Sequence, residues 1–286
     1  MNLYSIFLFF LNSMLKKFLP ELYIVNKLIS LKLEGIDDVK IDCFHSDDLG
    51  RFYSFRTYNH QHEDIANLIK SVVKNNEPTN VKFDLKKLTN VISSKSLSWG
   101  YSFDTMYSFG RNLVNAVGLV NIHNDKTFSS IENCFQDMRC NDEFVFRIDH
   151  VLWENRYIWL NDGGSHHCAT AIFYAENQHK ELLVNASFRI QSLDKKAINE
   201  INGKYKIFVV SSKKYYELQK LISPYKPIFL EPLQSQNMLL VFEKNNQLPN
   251  KIIRFLETYD QRYILDFNNH ISNLLKKQLE VEGLHE

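Results

Sequence analysis

The chain has 286 residues, 44% hydrophobic and 23% charged, a balance that supplies packed cores and excludes a disordered or low-complexity protein. Lys and Arg number 34 against 33 Asp and Glu, so no global field steers the chain toward nucleic acid or anionic membrane, and only local patches can do so. Cys43, Cys134, Cys140 and Cys168 form no C-x-x-C pair, which removes zinc-ribbon and thioredoxin readings and leaves reduced thiols of a cytoplasmic protein.

Residues 1–35 read as helical, broken or kinked at Pro20. The apolar run from Leu3 to Leu11 lacks the preceding positive charge of a secretory signal, since Lys16 and Lys17 follow it. It is also shorter than the ~20 residues a spanning helix needs, so no transmembrane segment is expected. The segment reads as a buried or docking helix rather than a membrane-surface anchor. Met14 offers an alternative start. Ile65, Leu68, Ile69, Val72 and Val73 recur at helical spacing and predict an amphipathic helix over 61–75. Residues 79–102 read as polar and irregular, anchored by Trp99 and Tyr101. Met106, Tyr107, Leu113, Val114 and Val117 predict a second helix, with Gly118 where a left-handed cap is expected.

Alternation around Phe144, Phe146 and Ile148 predicts a strand over 143–153, and a tight turn at Asn155 makes it a hairpin with 157–160. A helix over 165–178, a strand over 182–190 and a short helix over 195–201 follow. Gly203 marks a boundary. The last third predicts strands at 205–210, 228–230, 238–242 and 263–267, helices at 213–222 and 248–258, and a tail helix to about 279. The order β-α-β-β-α-β is that of a split βαβ, ferredoxin-like domain.

Chemistry concentrates at one place: Asp162-Gly163-Gly164-Ser165-His166-His167, between the strand and the helix. Two glycines permit positive φ and close approach of a ligand to the backbone. Ser165 is a good N-cap, and a helix N-terminus attracts anions. His166 and His167 add donors that strengthen on protonation. Asp162 can bind Mg²⁺ with a phosphate or act as a base. The bland alternative is a tight turn with Ser165 as its cap. A nucleophile elbow needs a glycine where His167 stands. A zinc site on His166 and His167 is disfavoured because adjacent helix residues point about 100° apart, so no metal is assigned.

Strand, Gly163-Gly164-Ser165-His166-His167 and an alanine-rich helix together resemble the nucleotide turn of the ParB/sulfiredoxin-like superfamily, over about 140–202. Gly163, Gly164 and His166 match the family's glycines and histidine. Ser165 replaces the sulfiredoxin cysteine, and His167 replaces the usual arginine. The resemblance implies that the turn holds the phosphates of ATP or CTP with Mg²⁺, and a toxin or phage-defence context.

Arg147, on the preceding strand, is the candidate for the missing guanidinium. Asp149 and His150 are candidate bases there, with a satisfied core histidine as the competing reading. Arg51, Arg56, His60, His62 and Glu63 form a second polar cluster, read as a solvated helix start. Lys213 and Lys214 read as a solvated face, and no nucleic-acid patch is evident.

The fold class expected is α+β: an N-terminal helical segment (1–35), a ParB/sulfiredoxin-like domain (36–202) and a ferredoxin-like domain with a C-terminal helix (203–286). The function expected is a cytoplasmic phosphotransfer or nucleotide-hydrolysing enzyme acting on a nucleotide or phosphate-bearing small molecule. Asp162, His166 and His167 would be catalytic; Gly163, Gly164, Ser165 and Arg147 would bind the ligand. The alternative is a non-enzymatic module with a protein partner, in which the turn is structural.

Overall fold

The computed structural model describes residues 3–31, 33, 55–56, 62–91, 105–115, 145–160, 164–232, 237–245 and 249–283. In chain order the elements are α1 (Leu3–Phe18), α2 (Pro20–Ser30), β1 (Phe55–Arg56), α3 (Glu63–Lys70), β2 (Val73–Asn75), β3 (Thr79–Asp84), β4 (Asn90–Val91), α4 (Met106–Asn115), β5 (Phe146–Val151), β6 (Arg156–Trp159), α5 (Ser165–Asn177), β7 (Leu183–Leu193), α6 (Lys195–Lys204), β8 (Tyr205–Ser211), α7 (Tyr215–Ile222), β9 (Ile228–Pro232), β10 (Asn237–Glu243), α8 (Asn250–Thr258), β11 (Ile264–Asp266) and α9 (Phe267–Gly283). The chain is a mixed α+β protein with two sheets.

Pro20 sits at the first turn of α2, where its missing N–H costs nothing, and so separates α1 from α2. The helix expected over 61–75 is shorter. It stops at Lys70, and Val73 pairs with Leu193 as the first residue of β2. The β-branched Val73 and the ladder partner offered by β7 win over helical spacing. The irregular stretch expected from 79 is likewise corrected: β3 and β4 are strands, with Phe83 opposite Val184 and Val91 opposite Trp159. Trp99, Tyr101, Val117 and Gly118 lie outside the described residues. The expected hairpin is present, with Asn155 left-handed at φ 50° between β5 and β6.

The chain divides into two compact units. The first gathers α1 to α3, β1, and α6 through Leu275 of α9. Its sheet runs β1-β9-β10-β8-β11, and every neighbouring pair is antiparallel. Ile24 and Leu28 of α2, Leu218 and Ile222 of α7, and Ile252 and Leu256 of α8 pack on Phe208, Val210, Leu240 and Phe242. Asn268 ties α9 to β8: its Oδ1 accepts from Ile207 N at 2.7 Å, and its Nδ2 donates to Tyr205 O at 3.0 Å and Asn202 Oδ1 at 2.8 Å. Gly203 lies inside α6, and the division falls between Leu193 and Asp194. Asp194 caps α6 by accepting from Lys196 N and Ala197 N, so the chain turns there. The N-terminal helices belong with this unit because α2 buries its apolar face in the unit's core.

The second unit runs from β2 to β7 and takes the last residues of α9. Its sheet runs β2-β7-β5-β6-β4, and β3 also pairs with β7. β5 lies parallel to β7, with Phe146 opposite Ala186 and Asp149 opposite Arg189. One sheet face packs on α4 and α5 through Phe83, Phe146, Ile148, Trp159 and Ala186, against Phe109, Leu113, Ala169 and Ile172. Gln278 Oε1 accepts from Leu193 N at 2.6 Å and closes the end of β7.

Candidate functional site

Gly164 opens α5 in the left-handed region, φ 80° and ψ 15°, a conformation that L side chains rarely adopt. It is the N-cap residue and makes no side-chain cap hydrogen bond; the first intrahelical bond runs from Cys168 N to Gly164 O at 3.0 Å. Ser165, expected as the cap, is instead the first helical residue and is buried. A glycine reaches the left-handed entry without strain, so the cap falls one residue earlier than the hydroxyl. The backbone N–H groups of the first turn of this 13-residue helix point N-terminally, an arrangement that in general favours negative charge at a helix start.

α5 is held in place by its small residues. Cys168, Ala169, Ala171 and Ala175 are wholly buried, and α4 crosses at Gly110. A Cβ on Gly110 would lie 2.0 Å from Ala169 O and 2.9 Å from Phe173 Cβ, so the two backbones touch there. Phe109, beside it, presents its ring to His166 edge-on, centroids 5.5 Å apart. His166 and His167 are both half-buried. Asp162 and Gly163 lie outside the described residues.

Arg147 stands apart from this group. Its carbonyl accepts from Leu160 N at 2.8 Å, so its backbone adjoins the end of β6 that leads to the turn. Its side chain alternates with Phe146 and Ile148, which face α5, and so projects from the opposite sheet face. The structure therefore brings together Gly164, Ser165, His166 and His167, and places Arg147 across the sheet from them.

Asp149 shares that opposite face and is 1% exposed. Its carboxylate accepts two bonds from Arg189, Nε at 2.8 Å and Nη2 at 2.5 Å, and a third from Gln191 Nε2 at 2.8 Å. With three donors on it, this carboxylate is structural. His150 faces the helices instead. It stacks on Tyr157 at 4.2 Å and 11°, and its Nε2 lies 3.3 Å from Asn155 Oδ1, which is the core-histidine arrangement. Burial pushes the Tyr157 phenol above its ordinary value. Arg189 and Gln191 were not singled out from the sequence. The signal was there: Ser187, Arg189 and Gln191 alternate with Phe188 and Ile190, which marks a sheet face that carries charge. Of the second polar cluster, Arg51 and His60 lie outside the described residues, while His62 caps α3 at φ 69°.

The described part of the turn offers no carboxylate for Mg²⁺, because Asp149 is engaged by Arg189 and Gln191 and Asp162 is not described. Among the described residues no group of three His, Cys, Asp or Glu side chains could hold a metal ion. No described helix is long and apolar enough to cross a membrane.

A mixed α+β protein of two compact units, with a glycine-opened helix in the second, is what fold and site define. The chain belongs to a family of unknown function, DUF6685, whose model matches residues 80–280. No curated protein and no solved structure matches it.

Proposed function

We propose that the second unit binds a nucleotide or another phosphate-bearing small molecule at the start of α5, as the first step of phosphotransfer or nucleotide hydrolysis. In this reading the unit is ParB/sulfiredoxin-like and the β8-α7-β9-β10-α8-β11 segment is ferredoxin-like, a reading supported by its strand order and antiparallel pairing. The observation that carries the ligand assignment is the left-handed Gly164 at the head of a 13-residue helix. ATP or CTP with Mg²⁺ is the favoured ligand. Gly164 and Ser165 would hold its phosphate against backbone N–H groups, and His166 and His167 would donate to it or move a proton. Asp162 completes the proposed set as base or Mg²⁺ ligand; Arg147, which projects from the opposite face of the sheet, is left out of it.

The test is thermal shift against ATP, CTP, GTP and inorganic phosphate, with and without Mg²⁺. A ligand at about 100 times its Kd raises stability by about 2.7 kcal/mol, which moves Tm by several degrees. The shift should be absent in Gly164→Ala, each variant being compared with its own ligand-free Tm so that loss of stability and loss of binding are read separately. No shift with any nucleotide or phosphate refutes the reading and leaves the turn structural.

A further inference from the structure

Eleven large hydrophobic side chains are exposed among the described residues, and six of them, Leu11, Met14, Phe18, Leu19, Leu22 and Ile29, fall in α1, α2 and the residue between. They lie on ordered faces. Leu11, Met14 and Phe18 follow i, i+3, i+7 spacing along α1, and Leu22 and Ile29 share a face of α2 away from the buried Ile24 and Leu28. The burial of residues 3–10, on which the expectation of a buried or docking helix rests, lies outside the described side chains. Phe18 is 65% exposed and Met14 58%.

Charge identifies what covers this face. Residues 3–30 contain Lys16, Lys17 and Lys27 and one acidic residue, Glu21. Glu21 is engaged by a neighbouring helix: its Oε2 accepts from Lys251 N at 2.7 Å, at the start of α8. The lysines are ion-paired to no described residue, and two lie over aromatic rings, Lys17 over Phe18 at 5.5 Å and Lys27 over Tyr23 at 5.7 Å. An apolar face edged by cations, with its single carboxylate already engaged, matches an anionic lipid surface. A second copy of the chain would bring the same cations and no counter-charge. The sequence of α1 is apolar at Leu3, Ile6, Phe7, Leu8, Phe9, Phe10 and Leu11, wider than the two-in-seven seam of a coiled coil. Its 16 residues span about 24 Å, too short to cross a bilayer and suited to lying in its interface.

We infer that α1 and α2 form a docking surface for anionic membrane lipid. It stands independently of the ligand assigned to α5.

The test is co-sedimentation of the full chain with vesicles of phosphatidylcholine and of phosphatidylcholine with phosphatidylserine. Binding is expected to the anionic vesicles, with loss in Met14→Asp/Phe18→Asp. Lys16→Gln/Lys17→Gln, two exposed positions whose change leaves the core untouched, should weaken it about 30-fold, each lysine accounting for about five-fold. Equal retention on both vesicle types, or on neither, overturns the inference. So does a dimer in light scattering that Phe18→Asp splits, which would assign the face to a second copy.

Discussion

Gly110→Ala tests whether α4 and α5 touch through their backbones. Two effects oppose each other. Alanine is favoured over glycine in a helix interior by about 1 kcal/mol. The new methyl would stand 2.0 Å from Ala169 O and 2.6 Å from Ala169 C, where ordinary contact begins near 3.4 Å, so the helices must part by about 1.4 Å. The struck atoms belong to the backbone, and no rotamer change relieves them. Overpacking of this kind costs about 1–3 kcal/mol, and the upper end applies here because the separation opens the layer that buries Phe109, Leu113 and Ile172. The net is a loss of about 2 kcal/mol, or a Tm lower by about 4–8 °C in thermal denaturation followed by circular dichroism. Ala169→Gly in the same chain should not rescue it, because removing the Ala169 methyl leaves the carbonyl in place. An unchanged or raised Tm for Gly110→Ala would refute the close crossing.

The Asp149 network gives a second expectation. Asp149→Ala leaves Arg189 and Gln191 without their acceptor and should cost about 3–5 kcal/mol in urea denaturation, whereas Asp149→Leu combined with Arg189→Leu should recover much of it; equal losses in the two variants would show that the pairing is immaterial. His179 ends α5 at φ 54°, with Lys180 N bonded to Ala175 O at 2.9 Å, so His179→Gly removes left-handed strain and should raise stability by about 1 kcal/mol, read as a higher Tm. Burial of the Lys206 ammonium lowers its pKa, but hydrogen bonds to Asp266 and Glu257 outweigh this and leave it above the ordinary lysine value. A pKa raised in the folded state adds stability that is complete below about pH 10.5 and lost as pH rises through the folded value; Lys206→Met should flatten the alkaline limb of the stability profile, and an unaltered limb would count against the pairing.

Much of the local structure was legible in the residues. The hairpin at Asn155, the helix after the glycine pair and the strand-helix-strand-strand-helix-strand order of the last third all carry local marks: a left-handed asparagine, a glycine entry, apolar runs of strand length. The errors share one cause. Val73 and the stretch from Thr79 to Asp84 read locally as helix and irregular chain, but their state is set by β7, about a hundred residues further along. At the site, Gly164 and the histidines were visible as a motif. The partners of Asp149 were not, because Arg189 and Gln191 meet it only through the parallel pairing of β5 with β7.

By itself the sequence determined the α+β class, most helix and strand positions, and the glycine turn, because backbone conformation and amphipathic period depend on residues close in the chain. The tertiary structure decided which cations and carboxylates pair, on which sheet face Arg147 lies, that the cap is Gly164 rather than Ser165, and that Ile24 and Leu28 of α2 are buried while Leu11, Met14 and Phe18 of α1 are exposed. Those outcomes depend on register and helix crossing, which join residues far apart in the chain and leave no periodic trace in either segment alone.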